Sequence, residues 1–285
     1  MDAVHRFTRP ALRRPRALLA WEGWNDACDS ASGAASFLLG QFDLEPFALI
    51  EPEEFYDFQA HRPSVQTGEG GTRRLTWPGT RFFAVELPDQ PRDLVVMVGD
   101  EPNLRWKTYA RLVAHVLADA GVERAVTLGA FIGQVAHTVP VPLMGVSTHP
   151  ELVHAHQLSP STYEGPTGII GVVLEACREL GLPVLSLWAA APHYLAANPN
   201  PRAMLALLDK AAEVLGVAID TAELAKVAEE FQARVDAAMA ENETFLTYVQ
   251  RLEAEAQLPH PSRLDPKSAD RLISEIEQFL RDRPD

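Results

Sequence analysis

The polar residues best placed for chemistry fall in three segments, each directly behind a short apolar run. "EGWNDACDS" carries Glu22, Asn25 and Asp26, "GDEPNLRW" carries Asp100, Glu101, Asn103 and Arg105, and "GQVAHTVPVP" carries His137 and Thr138. If the apolar runs are strands of an open α/β sheet, all three segments lie at its carboxyl edge, where ligands of such sheets collect. A cleft lined by Asp26, Asp100, Glu101, Arg105 and His137 follows. His137 would act there as a base once a carboxylate orients it. The usual catalytic signatures are missing: the chain has no GxSxG elbow, no HExxH pair and no Ser/Lys pair.

A second candidate is the loop Gly165-Pro166-Thr167-Gly168, which runs into a helix bearing Gly171. Backbone N–H groups at a helix start hold phosphate in many α/β proteins, usually beside a Lys or Arg. Here Pro166 removes one N–H, no basic residue follows until Arg178, and neither a Walker nor a GxGxxG spacing is present. Gly168 and Gly171 are three apart and share a helix face, which suits close approach of that helix to a sheet. The loop reads as structural.

His149, His154 and His156 lie close together, and "HAH" on a strand would point both rings one way. A zinc site needs a further close ligand and a second shell, and Glu151 is the nearby carboxylate. Cys28 and Cys177 sit in unrelated segments with no metal spacing and no CxxC pair. The expectation is no metal and no cofactor. "APHYLA" puts Pro192, His193 and Tyr194 behind another strand, where the two rings would plug the junction between a core and later helices.

The elements that must position these residues alternate. "RALLAW", "PFALIE", "DLVVMVGD", "RAVTLGAF", "PLMGVST" and "PVLSLWAA" read as strands, and "GTRRLTWPGTRFFAVEL" reads as a hairpin about Pro78-Gly79. "DSASGAASFLLGQF", capped by Asp29 or Ser30, "LRWKTYARLVAHVLADAG" and 166–180 read as helices. Strand–helix alternation implies a mostly parallel sheet covered on both faces, a three-layer α/β/α sandwich over 17–197 behind a flexible segment 1–16.

From 198 to 285 the chain reads helical: 201–215 with Asn200 as N-cap and Pro201 at its first position, 221 to about 256, and 267–281 after a Pro-rich linker. The middle helix opens with Asp220 and Glu223 at capping-box spacing. Its apolar residues repeat by sevens, Leu224, Phe231, Ala238, Phe245 and Leu252 in one row and Ala228, Val235, Asn242 and Val249 in the other. This is either a heptad seam between subunits, with Asn242 fixing register in a dimer or trimer, or an amphipathic helix packed on its own domain.

Composition sets bounds. Within 285 residues, a hydrophobic fraction of 47% and a charged fraction of 22% suit a globular core, and the formal net charge is −14. No dense Lys/Arg run lies past residue 16, so nucleic-acid binding is not expected. The arginines between Arg9 and Arg16 precede an apolar stretch too short for a signal peptide, and no run approaches the roughly 20 apolar residues of a membrane span. A cytoplasmic location is the expectation.

The order "EGWNDA", "GDEP", "AHTVPVP", "YEGPTGIIG" and "WAAAPHY" resembles the proteasome assembly chaperone family of the second-chaperone type, its bacterial members in particular. The resemblance covers about 15–255. It implies a phosphorylase/hydrolase-like α/β/α sandwich with a helical C-terminal extension, and a protein-binding oligomer that aids proteasome assembly. The family positions fall on Gly23, Trp24, Asp26 and Ala27, on His137 and Pro140, on Gly165, Pro166, Gly168 and Gly171, and on Pro192, His193 and Tyr194. Where the first motif often has Gly after Asp-Ala, this chain has Cys28. The docking tails of related chaperones end in a hydrophobic residue, Tyr and any residue. This chain reads Arg283-Pro284-Asp285 there, so any proteasome contact is expected to use another surface. The leading expectation is a non-catalytic binding or assembly protein. The rival is an enzyme acting on a small nucleoside-like ligand in the cleft.

Overall fold

A computed structural model describes residues 3–196 and 199–256. The expected helix 267–281, the Pro-rich linker before it and the tail Arg283-Pro284-Asp285 lie outside the described residues. The strands are β1 (Val4–Arg6), β2 (Arg16–Glu22), β3 (Ala48–Ile50), β4 (Ser64–Thr67), β5 (Arg73–Thr76) and β6 (Thr80–Val85). They continue as β7 (Leu94–Asp100), β8 (Arg124–Gly133), β9 (Leu143–Ser147), β10 (Ser159–Pro160) and β11 (Val184–Pro192). The helices are α1 (Ser30–Leu39), α2 (Trp106–Asp119), α3 (Pro150–Ala155) and α4 (Ile169–Glu179), then α5 (Pro201–Leu215), α6 (Ala222–Ala240) and α7 (Glu243–Ala256).

Nine strands form one sheet in the order β1-β3-β6-β7-β2-β8-β11-β9-β10. Its centre, β7-β2-β8-β11, is parallel, while β1, β3, β6 and β9 pair antiparallel, so the sheet is mixed. The central strands are apolar on both faces because both are covered. Along β2, Ala17, Leu19 and Trp21 join one buried cluster, with α2 and α4, while Leu18 and Ala20 join the other, with α1 and α5. Sequence and structure agree on the three layers. α5 belongs to them, since Ala203, Leu207, Leu208 and Ala211 are fully buried against that second face.

Four expectations need correction. Residues 4–6 are not a free segment, because β1 pairs in register with β3, Val4 opposite Ile50. The hairpin about Pro78-Gly79 does not form: β5 pairs with β4, whereas β6 is inserted between β3 and β7, where Phe82 and Val85 are buried. "HAH" lies in and just after α3, not on a strand.

The long heptad helix is two helices, broken at Glu241-Asn242. Asn242 Oδ1 accepts from Thr244 N at 2.9 Å at the start of α7, an N-cap-like use of the side chain. Leu224 joins the core beside α5, while Phe231, Val235, Phe245 and Val249 are buried with Tyr194 and Leu195. The apolar rows are therefore filled within the chain and leave no seam for a second copy.

Candidate functional site

The motif segments converge at the carboxyl ends of β2, β7 and β8, where most of their polar side chains are held by neighbouring backbone and side chains, though Asn25 Oδ1 and Asp26 Oδ2 are buried with no hydrogen-bond partner. Glu101 N donates to the Glu22 carbonyl at 3.0 Å, joining the loops that follow β2 and β7. The Glu101 carboxylate then accepts from Asn25 Nδ2 at 2.7 Å and from Ile169 N at 2.8 Å. Ile169 is the first residue of α4, so a side chain from another strand caps that helix. The carboxylate occupies the place an anion takes at a helix N-terminus, where orphan N–H groups and the helix dipole favour negative charge.

The glycines follow from this packing. A Cβ on Gly168 would lie 2.3 Å from Asn25 Oδ1, and one on Gly23, at φ +108°, would lie 3.2 Å from Glu101 Cβ. Gly171 makes room for the Thr167 hydroxyl rather than for the sheet, its Cβ falling 2.2 Å from Oγ1. Gly165 makes room for Tyr163, whose hydroxyl donates to the Pro166 carbonyl at 3.0 Å.

Asp26 is also a cap. Its Oδ1 accepts from Ala31 N at 2.6 Å and Ser32 N at 3.2 Å at the head of α1, the role expected of Asp29 or Ser30. Burial pushes its pKa up, and the hydrogen bonds from Ser32 and Ala31 oppose that. Between Asp26 and α1 the chain turns through two left-handed residues, Cys28 at φ 58° and Asp29 at φ 47°.

Asp100 accepts from Gly79 N at 2.9 Å, and Arg105 pairs with Glu54. Each of the five cleft candidates thus has a partner, and the carboxylates do not meet His137. Its ring is buried beside a different set of residues. His137 Nδ1 is 2.7 Å from the Tyr194 hydroxyl, which also accepts from His137 N at 2.8 Å, and Nε2 is 3.1 Å from Asp236 on α6. Asp236 only accepts, so the neutral ring carries its proton on Nε2 and donates it there, and Nδ1 accepts from the Tyr194 hydroxyl.

His193 is arranged in the same way: Nδ1 donates to the Gly133 carbonyl at 3.2 Å, and Nε2 accepts from the Tyr248 hydroxyl on α7 at 2.6 Å. The two imidazoles tie α6 and α7 to the ends of β8 and β11. Burial lowers both pKa values; Asp236 opposes the shift at His137 and the Gly133 carbonyl opposes it at His193.

The other histidines part company. His149 Nδ1 meets the Thr148 hydroxyl and His156 Nδ1 meets Glu213. Among the described residues no group of three or more His, Cys, Asp and Glu is placed to hold a metal ion. Burial pushes the Cys28 thiol to about 11 and the Cys177 thiol to about 12, so both stay protonated at neutral pH. Among the described residues no helix is long and apolar enough to cross a membrane.

These loops also expose large apolar side chains, set among polar ones such as Glu22, Asn103 and Glu164. Trp24 is 63% exposed, Leu104 51%, Ile132 45% and Tyr163 66%. Trp24, Leu104 and Tyr163 sit on the three loops that Glu101, Asn25 and Ile169 N bind together, and Ile132 is near the end of β8. Sequence reasoning missed this surface, the capping roles of Glu101 and Asp26, and the partners Asp236 and Tyr248. Only the aromatic residues inside the glycine motifs, Trp24 after Gly23 and Tyr163 before Gly165, hinted at it.

Comparison with known proteins places this geometry. The sequence model of the PAC2 family matches residues 20–239. A PAC2 family protein from Streptomyces avermitilis is 42% identical, with a TM-score of 0.77 over 82% of this chain and 99% of its own. A proteasome-assembly chaperone homologue from Mycobacterium tuberculosis is 38% identical, with a TM-score of 0.75 over 82% and 99%. A second Mycobacterium tuberculosis protein, of unknown function, shares the fold at 24% identity, with a TM-score of 0.79 over 99% and 97%. Among curated proteins none matches the chain.

Proposed function

The chain belongs to the PAC2 family, and from that premise we propose that it is a non-catalytic, assembly-chaperone-like protein whose partner docks at the carboxyl edge of the sheet. The observation that carries this reading is how the motif loops divide their residues. Their polar groups, Asn25, Asp26 and Glu101, are turned inward as caps and ties, while Trp24, Leu104 and Tyr163 are turned outward. Exposed Trp and Tyr on rigid loops are typical anchors of protein–protein interfaces. Asp26, Glu101 and His137 do not meet, and each is held by other groups, which supports the non-catalytic reading.

The class of partner comes from the relatives. The Mycobacterium tuberculosis protein at 38% identity is a proteasome-assembly chaperone homologue, and the proposed clients of this chain are proteasome subunits. Self-association as a dimer or trimer fits the same reading through a surface other than the filled rows of α6 and α7. The test is native mass spectrometry of the purified chain mixed with proteasome α-subunits of its host. The expected result is a complex containing both, and spectra with only the separate species would contradict the proposal.

A further inference from the structure

The amino-terminal edge of the same central strands carries an arrangement opposite in character. Arg16 opens β2 and Arg124 opens β8, and the two are direct cross-strand partners. Arg92 lies two residues before Leu94, which pairs with Arg16 from the other side. Arg14 completes the group. Like charges directly opposite in a sheet are destabilising, so this placement needs compensation.

Glu123 supplies part of it. Arg14 Nε is 3.1 Å from its carboxylate, but Arg92 and Arg16 approach only to 3.8 and 4.0 Å. Arg124 Nη1 donates to the Val214 carbonyl at 3.3 Å, at the end of α5. Asp93, the adjacent acid, is already committed, its two oxygens accepting from Arg13 and from Leu87 N. Four guanidinium groups thus face one carboxylate, in a chain whose net charge is −14.

The buried donors make the imbalance specific. The Arg16 and Arg92 side chains are 13% and 15% exposed. Arg16 Nε, Arg92 Nε and Arg92 Nη1 are buried with no hydrogen-bond partner. Leaving such donors unmade costs about 1–3 kcal/mol each, more where the group is charged. Burial, followed by Arg124 and Arg92, holds the Arg16 pKa down to about 10, which records the same repulsion.

We propose that this edge is an oxyanion site in which Arg16, Arg92 and Arg124 bind a phosphate or sulfate group. Guanidinium forks match tetrahedral oxyanions two bonds at a time, and a doubly charged ligand offsets most of the local excess. The site lies at the opposite ends of the strands from Trp24 and Tyr163, so occupancy there does not compete with docking.

The test is isothermal titration of the full chain with inorganic phosphate and, separately, glycerol 3-phosphate, at ionic strength held constant with chloride. Saturable binding by the wild type, weakened at least about tenfold in Arg92→Gln, is expected. Tighter binding of the ester would identify the source as an organic phosphate, and equal binding would identify free phosphate. No saturable binding of either by the wild type overturns the proposal, as does an unchanged affinity in the variant. A melting series guards against a merely structural role. In phosphate-free buffer Arg92→Gln should melt at or above the wild type, since repulsion is relieved, and in saturating phosphate it should melt below. A variant that melts lower by the same margin in both buffers also overturns the site.

Discussion

Glu101 and Ile169 come from elements 68 residues apart in sequence, yet a 2.8 Å hydrogen bond makes the carboxylate of one the N-cap of the helix begun by the other. Through Asn25 Nδ2 on the same oxygen, the loops after β2 and β7 and the loop before α4 become one unit. That unit presents Trp24, Leu104 and Tyr163 to solvent.

Removing the carboxylate should loosen the unit. Glu101→Ala leaves the Ile169 N–H and the Asn25 amide without their acceptor, and a loss of about 2–3 kcal/mol is expected. Glu101→Gln keeps one acceptor and loses the charge facing the helix dipole, so it should cost about 1 kcal/mol. Urea denaturation of the two variants checks the order, and equal costs would remove the hydrogen-bond part of the argument and leave only the charge.

Gly168 is set by space rather than by backbone conformation, since its φ is −88°. Gly168→Ala forces a methyl onto the Asn25 amide, 2.3 Å from Oδ1, and should cost about 1–3 kcal/mol as overpacking. In a double-mutant cycle Asn25→Ala should recover part of that loss, because the clash is with that side chain. Additive costs would show that the glycine answers to something else.

The turn at Cys28 makes a different prediction. Its left-handed φ of 58° disfavours any residue with a Cβ by about 1–2 kcal/mol. Cys28→Gly should therefore be more stable than Cys28→Ala by about 1 kcal/mol, the reverse of the order in ordinary helical backbone. Thermal melts of the pair suffice.

His137 and His193 give stability a pH dependence with a definite sign. Burial lowers both pKa values, so the folded state binds fewer protons than the unfolded state. Their contribution is complete above the ordinary value of 6.5 and is lost as pH falls from there through the folded-state pKa. Between about pH 7.5 and 5.5, wild-type stability should fall more steeply than that of His193→Gln. A parallel fall in the two proteins would contradict the assignment.

The layers of the sandwich were legible in the sequence because "ALLAW" and "LVVMVG" carry no polar side chain, the pattern of a strand covered on both faces. α5 was legible to the residue from Asn200, whose Oδ1 accepts from Ala203 N at 3.1 Å, and from Pro201. What was not legible depends on partners distant in sequence. Glu101 reads as a free acid until α4 arrives above it, and His137 reads as a base until Asp236 and Tyr194 close around it. The heptads of 224–252 hid a break at Asn242, since two helices folded onto one cluster keep the same spacing as one straight helix.

The central claim is that the carboxyl-edge surface is a docking face, and Trp24 tests it most directly. At 63% exposure the indole contributes little to the fold, so Trp24→Ser should keep the wild-type Tm, with a change in stability within about 0.5 kcal/mol. The measurement is the Kd for purified proteasome α-subunits, wild type beside Trp24→Ser. The account predicts binding by the wild type and a loss of about tenfold or more in the variant, as expected for an aromatic anchor. Equal affinities with both proteins folded, or no binding by the wild type, would contradict it.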